Sequence, residues 1–276
     1  MKVEKIWAMY FSPTGNSKKV CKGLGETLAK CLNAPLEYVD ITQKAARKKP
    51  YIFNQNELLI LTFPVYAGRL PNKIAPYITD MLQGDKTKLI TCVTYGNRNF
   101  DDALSEMNYE CGQNGFITIG GAAVPSQHAF SHKLAFRRPT DDDLEQIKDY
   151  AKMLADKIEA ATCQDELKIR EIPGNMPPGP YYKPLQLDGE PANFLKAKPK
   201  TYDTLCDGCG ECYRVCPMDA ISIDDFRVVT GTCIKCQACI KNCHNCAKYF
   251  DDPQFLSHVE MLEENYSDVD RDILFL

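Results

Sequence analysis

A doubled run of cysteines constrains this chain more than any other feature. Cys206, Cys209, Cys212 and Cys216 recur, shifted by 27 residues, as Cys233, Cys236, Cys239 and Cys243. Of 14 cysteines in all, these eight fall within one short stretch. Such regularity in a chain without secretory features points to metal and not to disulfides. Three thiols at i, i+3 and i+6 are too close for a zinc site made of two separated pairs. They suit a cubane iron–sulfur cluster, in which a short loop wraps three corners and its backbone N–H groups face the sulfides. The fourth ligand has to come from elsewhere. Between the two runs, "AISI" and "RVVT" around Asp224 and Asp225 form a candidate hairpin, so residues 201–250 are expected to make a small domain.

The 276 residues leave room for a larger domain as well. Over residues 1–163, strand and helix patterns alternate. Val3–Phe11, Leu36–Ile41, Glu57–Phe63, Lys88–Thr94 and Phe116–Gly120 read as strands. Between them, helical spacing recurs in three places: Val20, Leu24 and Leu28 within Ser17–Leu32; Ile74, Ile78 and Met81; and Leu104 with Met107. The clearest helix carries Leu144, Ile147, Ala151, Leu154, Ile158 and Ala161 on one stripe, behind a capped start at Thr140. This alternation predicts an α/β fold with a doubly wound, parallel sheet of five strands.

Residues 164–200, with "IPGNMPPGPYYKP", read as a Pro/Gly-rich linker or strap. Residues 251–276 read as an acidic helical extension, with Glu260, Glu263, Glu264, Asp268, Asp270 and Asp272 on a solvated face. A net charge of −4 excludes a nucleic-acid footprint. No apolar run is long enough to span a bilayer, and the first residues enter a strand without a signal-like segment. A cytoplasmic protein with no nucleic-acid or membrane partner is expected.

The first strand ends in "YFSPTGNS", residues 10–17. A loop between a strand end and a helix start offers unpaired N–H groups and the positive end of a dipole, which together suit a phosphate. Ser12, Thr14 and Ser17 add hydroxyls, and Gly15 lets the backbone come close. The Walker pattern fails, because Tyr10 and Asn16 stand where its first glycine and its lysine belong. The dinucleotide fingerprint fails too, since Gly23 and Gly25 fall inside the helix.

"SPTGNS" resembles the FMN-phosphate loop of flavodoxins, of the form S/T-x-T-G-x-S/T. "TFPVYAGRLP" (62–71) and "TYGNRNFDDAL" (94–104) are similar to the two loops that hold the isoalloxazine ring in that family. The resemblance implies FMN held by Ser12, Pro13, Thr14, Gly15, Asn16 and Ser17 at the phosphate. It implies Pro64, Val65, Tyr66, Ala67 and Gly68 on one side of the ring, and Thr94, Tyr95, Gly96, Asn97, Arg98 and Phe100 on the other. Tyr66 and Phe100 are the expected aromatic flankers, with Tyr95 as the rival of Phe100. Gly96 and Asn97 are expected to offer backbone donors to the pyrimidine edge. Arg98 is either a cation near N1 or a surface residue.

The cysteine runs resemble a clostridial-type ferredoxin with two [4Fe–4S] clusters, over about fifty residues. In such ferredoxins the fourth cysteine of each run ligates the other cluster. That implies Cys206, Cys209, Cys212 and Cys243 for one cluster, and Cys233, Cys236, Cys239 and Cys216 for the other. Pro217 follows Cys216 as the family pattern requires, but His244 follows Cys243, and Cys246 three residues beyond is a rival ligand. His244 reads as a surface residue. His128 and His132, after the fifth strand, face either cofactor or serve the structure. Cys21, Cys31, Cys92, Cys111 and Cys163 read as small core or surface residues.

The two halves together resemble the flavodoxin–ferredoxin fusion family of anaerobic bacteria and archaea, a likeness that "QHAFSHKLAFRRPTDDD" extends. It implies a flavodoxin-like sheet followed by a small α+β ferredoxin-like domain. The function it implies is electron transfer between FMN, which handles one or two electrons, and two low-potential [4Fe–4S] clusters. The alternative is an FMN-dependent reductase of a small organic substrate fed by its own clusters, with Tyr66, Tyr95 or Asp101 as proton source. A redox sensor is a third class, and no DNA-binding pattern supports it. Redox partner proteins or a small substrate are the expected partners. Whether the cofactors meet within one chain or only across a homodimer is open at this level.

Overall fold

The apolar runs of the N-terminal half become the strands of one sheet, with helices on both faces. A computed structural model describes all 276 residues. In chain order the elements are β1 (Lys5–Tyr10), α1 (Asn16–Cys31), β2 (Leu36–Asp40), β3 (Tyr51–Phe53), β4 (Glu57–Pro64), α2 (Pro76–Met81), β5 (Leu82–Gly84), β6 (Thr87–Tyr95), α3 (Ala103–Gln113), β7 (Phe116–Pro125), α4 (Asp141–Ala160), β8 (Lys200–Thr201), α5 (Glu211–Arg214), α6 (Ala238–Lys241), β9 (Lys248–Tyr249), α7 (Pro253–Tyr266) and β10 (Leu274–Phe275).

The main sheet runs β10-β7-β6-β4-β1-β2. Its five long strands are parallel, in the doubly wound order 2-1-3-4-5, whose switch point lies beside the first strand. The sheet has six strands and not the expected five. β10 joins β7 antiparallel, through Leu274 opposite Ala123 and Phe275 opposite Ala122. Its two residues are too few to show a strand period in the sequence. Phe275 stacks on Tyr150 at 4.5 Å, and the Tyr150 hydroxyl donates to the Leu276 carbonyl at 2.8 Å, so the strand is held by tertiary contacts.

Both faces of the sheet are covered, and β6 is buried along its whole length. Val20, Leu24 and Leu28 of α1 pack with Ile147, Ala151, Leu154 and Ile158 of α4 on one face. Ile74, Ile78, Leu104 and Met107 fill the other. Gly25 lets α1 sit close, since a Cβ there would lie 3.2 Å from Ala8 and Leu36. Helix α4 starts in a full capping box between Thr140 and Asp143. The helix expected around Ile74 is shorter than its pattern, beginning only at Pro76.

Three features lay outside the sequence expectation. β3 and β5 form a separate parallel pair. β7 continues to Pro125 despite Gly120, which makes room for the Tyr150 hydroxyl and Leu154, and Gly121, which lies against Leu276 and Thr91. The hairpin expected around Asp224 reduces to a single bridge between Ile221 and Val229. No helix is long and apolar enough to cross a membrane.

Residues 164–200 form a strap that starts at the amino ends of β6 and β7, where Gln164 donates to Lys86 and the Ile169 N–H to Thr118, and reaches the loops at the carboxyl ends from Asn175 onward. Buried Asp102 accepts the N–H of Asn175 and of Gly179, each at 2.8 Å. Arg69, paired with Glu106 at 2.7 Å, also donates to the Gly179 carbonyl. Tyr181 donates to Leu70, and the Tyr182 N–H to Ala67. The strap then meets α7, where the Leu187 N–H donates to Ser257 and the Asn193 N–H to Gln254.

Candidate cofactor site

The turn after β1 is set by Gly15, at φ 93° and ψ −18° in the left-handed region. It leads into α1 with no side-chain cap, and the N–H groups of Asn16 and Ser17 find no acceptor in the protein. These free donors stand at the positive end of a 16-residue helix, an arrangement suited to a phosphate. Ser12 Oγ accepts the Lys18 N–H at 3.0 Å. Ser17 Oγ meets Thr94 Oγ1 at 2.8 Å, which joins the loop after β1 to the end of β6.

Three loops converge on one cavity of about 240 Å³. Ser12, Pro13, Thr14, Asn16 and Ser17 line it, as do Pro64, Val65, Tyr66, Ala67 and Gly68, and Thr94, Tyr95, Gly96 and Arg98. Of the residues expected at FMN, three do not line it. Gly15 shapes the turn. Asn97 is buried, at φ 71°, and its amide donates to the carbonyls of Tyr266 and Val269 at 2.7 and 2.8 Å, which ties the loop to the end of α7. Phe100 packs edge-on against Tyr95 at 5.5 Å and into the core beneath. The aromatic that faces Tyr66 across the cavity loops is therefore Tyr95, with Phe100 supporting it from behind. Gly96 is required for packing, because a Cβ there would collide with the ring of His128.

The free N–H donors, the hydroxyls and the two tyrosines fit a flavin mononucleotide. Arg98 is ion-paired with Asp101 and lies 4.0 Å over the ring of Tyr182, so it is neither a free cation nor a surface residue. Burial raises the phenol pKa of Tyr66 well above its ordinary value, and the neighbouring thiols of Cys236 and Cys233 push it the same way.

The remaining lining comes from distant parts of the chain: Gln127, His128 and Phe130 after β7, Tyr182, Pro184 and Phe194 of the strap, Ile234, Lys235 and Cys236 of the second cysteine run, and His258 and Leu262 of α7. Sequence reading left all of these without a role except His128, for which it noted only that it could face a cofactor. No local pattern marks them, because the strap and α7 are brought here by contacts across the whole chain. His132, the other histidine after β7, does not line the cavity.

The two cysteine runs repeat in backbone detail as well as in sequence. Gly208 and Gly210 hold φ 73° and 74°, and their counterparts 27 residues on, Lys235 and Gln237, hold 58° and 65°. Non-glycine residues there cost roughly 1–2 kcal/mol each, so the loop shape is imposed and not merely permitted. Helix α5 has its counterpart in α6. The Ala220 N–H donates to Cys216 Sγ at 3.3 Å, and the Ala247 N–H to Cys243 Sγ at 3.2 Å. Asp219 and Cys246 occupy the same left-handed turn, at φ 50° and 52°. By this correspondence Cys243 takes the place of Cys216, and Cys246 is a turn residue.

Cys216 lies close enough to the second run to raise the pKa of Cys233, Cys236 and Cys239, although burial is the larger cause in each. Cys212 is raised by burial, and by Cys206 and Cys209. Beside Cys243, His244 Nε2 lies 2.9 Å from Asp207 Oδ2 of the first run. The thiolate-rich, N–H-donating loops fit iron–sulfur clusters and offer no two-pair zinc site. Cys209 is exposed and Cys236 buried, so the two groups differ in access to solvent.

Comparison with known proteins agrees with the C-terminal reading at the first run. A family model described as a 4Fe-4S binding domain matches residues 199–222. No curated protein matches the chain. Among solved structures, a flavodoxin from the domain Archaea is 15% identical with a TM-score of 0.41, covering 56% of this chain and 99% of its own. A flavodoxin of Streptococcus pneumonia is 14% identical with a TM-score of 0.40, over 55% of this chain and 99% of its own. The flavodiiron core of Flv1 from Synechocystis is 13% identical with a TM-score of 0.42, over 57% of this chain and 36% of its own. The chain thus places a 4Fe–4S binding segment behind an N-terminal half with the flavodoxin-type strand order.

Proposed function

We propose that this protein transfers electrons between FMN, bound in the cavity, and two [4Fe–4S] clusters held by the crossed cysteine sets. One observation carries the reading: Cys236 of the second run and the flavin-type loops line the same cavity. FMN when bound supplies one- or two-electron chemistry, and each cluster supplies one electron at a time.

The chain's own groups do the rest. The α1 terminus anchors the phosphate, Tyr66 and Tyr95 flank the ring, and the strap with α7 excludes water. Cys216, Cys233, Cys236 and Cys239 hold the cluster beside the cavity. Cys206, Cys209, Cys212 and Cys243 hold the one nearer solvent, where Cys209 is exposed to a redox partner. With the groups held by these residues, electrons would pass between a partner at the Cys209 side and the flavin at the Cys236 side, in either direction.

Anaerobic purification should yield one FMN and about eight irons per chain, the content of two clusters. A redox titration that follows flavin absorbance and cluster EPR together should resolve two cluster signals and show flavin and cluster exchanging electrons. A chain without FMN, or with iron for a single cluster only, is incompatible with this function.

A further inference from the structure

The cavity has a second wall that the three loops do not supply. His128 and Phe130 after β7, Tyr182 and Phe194 of the strap, and His258 of α7 build it. Their rings are continuous through Phe255: His128 to Phe130 is 5.0 Å, Phe130 to Phe255 4.9 Å, Phe255 to Phe194 5.4 Å, and Phe194 to His258 5.4 Å.

The two histidines have opposite polarity toward the cavity. The Phe130 N–H donates to His128 Nδ1 at 3.1 Å, which leaves the proton on Nε2. His258 Nδ1 lies 2.8 Å from the Leu185 carbonyl, which can only accept, so its proton is on Nδ1 and its Nε2 is a bare acceptor. Neither Nε2 has a partner in the protein. Burial, the largest cause for both, keeps the imidazoles neutral, with His128 pushed down to about 3. The cations nearby are held by other groups: Arg98 is paired with Asp101, the Lys235 amine donates to the Leu195 carbonyl at 2.9 Å, and the Lys241 amine donates to the His128 carbonyl at 3.3 Å. The wall therefore offers one donor, one acceptor and aromatic faces.

We propose that this wall is a subsite for a small, planar, uncharged carbonyl compound with an N–H or O–H beside its C=O. His128 Nε2–H donates to the carbonyl oxygen, and the ligand's own N–H or O–H donates to His258 Nε2. An anion meets the bare acceptor of His258, while the Lys235 and Lys241 amines are turned to backbone carbonyls. The subsite rests on the reading of the three loops as the flavin site, which makes the ligand the flavin's small-molecule partner.

Benzamide, acetophenone and benzoate are matched probes for the full chain loaded with FMN and clusters. Benzamide should bind saturably, read as a difference spectrum of the oxidised flavin. Acetophenone, which lacks the donor, and benzoate, which is anionic, should bind about tenfold more weakly or worse. His258→Phe should abolish the preference for benzamide over acetophenone, His258→Gln should restore part of it, and His128→Phe should weaken both ligands, with FMN and iron content unchanged. Benzamide binding that survives both phenylalanine variants, or none to the loaded chain, overturns the subsite. Loss of FMN with iron retained in either variant also overturns it, because the histidines then serve the flavin itself. A wild-type chain that carries no FMN fails the flavin reading instead, and FMN content reveals this before any probe is added.

Discussion

Thr14 and Cys243 show what a single side chain decides in this molecule. Thr14 lines the cavity one residue before the left-handed Gly15, so a larger apolar group there would fill the phosphate position. Thr14→Leu is expected to lower FMN affinity at least tenfold, the loss of about one charge-assisted hydrogen bond, and to leave iron content unchanged. Equilibrium dialysis with FMN and an iron assay on the same sample check both halves. At the other site, the repeat distinguishes two cysteines that sequence spacing left as rivals. Cys243 receives the Ala247 N–H as Cys216 receives that of Ala220, whereas Cys246 shares its turn conformation with Asp219. Cys246→Ser should keep the full iron content, while Cys243→Ser should lose or convert one cluster, visible in iron stoichiometry and EPR.

Among the elements, the strap differs most from its appearance in sequence. Its prolines and glycines read as a linker, yet Asp102 holds it by four hydrogen bonds, three from Asn175 and one from Gly179. Burial alone would raise the Asp102 pKa, but these bonds and the Arg69 charge bring it below the ordinary carboxylate value. A carboxylate depressed in the folded state contributes stability at neutral pH and loses it as the pH falls below that ordinary value. The strap should therefore loosen in acid, below about pH 4. Asp102→Ala should leave the part-buried N–H groups of Asn175 and Gly179 without their acceptor, at about 1 kcal/mol each. Limited proteolysis should then cut residues 170–185 faster at pH 7, and hydrogen exchange should show the same segment losing protection.

At the scale of the whole molecule, the closeness of the two halves is the consequential feature. The loop from Ile234 to Cys236 is a wall of the cavity, so the proposed function implies communication between flavin and inner cluster within one chain. After rapid mixing with a one-electron reductant in excess, transfer from cluster to flavin should be first-order, with a rate independent of protein concentration over a hundredfold dilution. A rate that falls with dilution would mean that the cofactors meet only across a dimer.

The cysteine repeat and the loop after β1 were legible because their chemistry is local. Thiol spacing alone decides what a loop can wrap, and a strand end before a helix start leaves free N–H groups wherever the sheet lies. The same holds for the alternating strands and helices, whose apolar periods survive without neighbours. Phe100 and the Asn97 side chain turn away from the cavity for the opposite reason: a loop residue's direction depends on its tertiary neighbours, here Tyr95 and the core in one case and the end of α7 in the other. The sixth strand, the latched strap and the histidine wall had no local signal at all. They join residues far apart along the chain, as Asp102 with Asn175, Gly121 with Leu276 and His128 with Lys241 illustrate. The sequence by itself determined the doubled cysteine loops and the helix terminus suited to a phosphate. Only the tertiary structure decided that Cys236 and the three loops after the strands line one cavity, because long-range packing, and not spacing along the chain, brings these walls together.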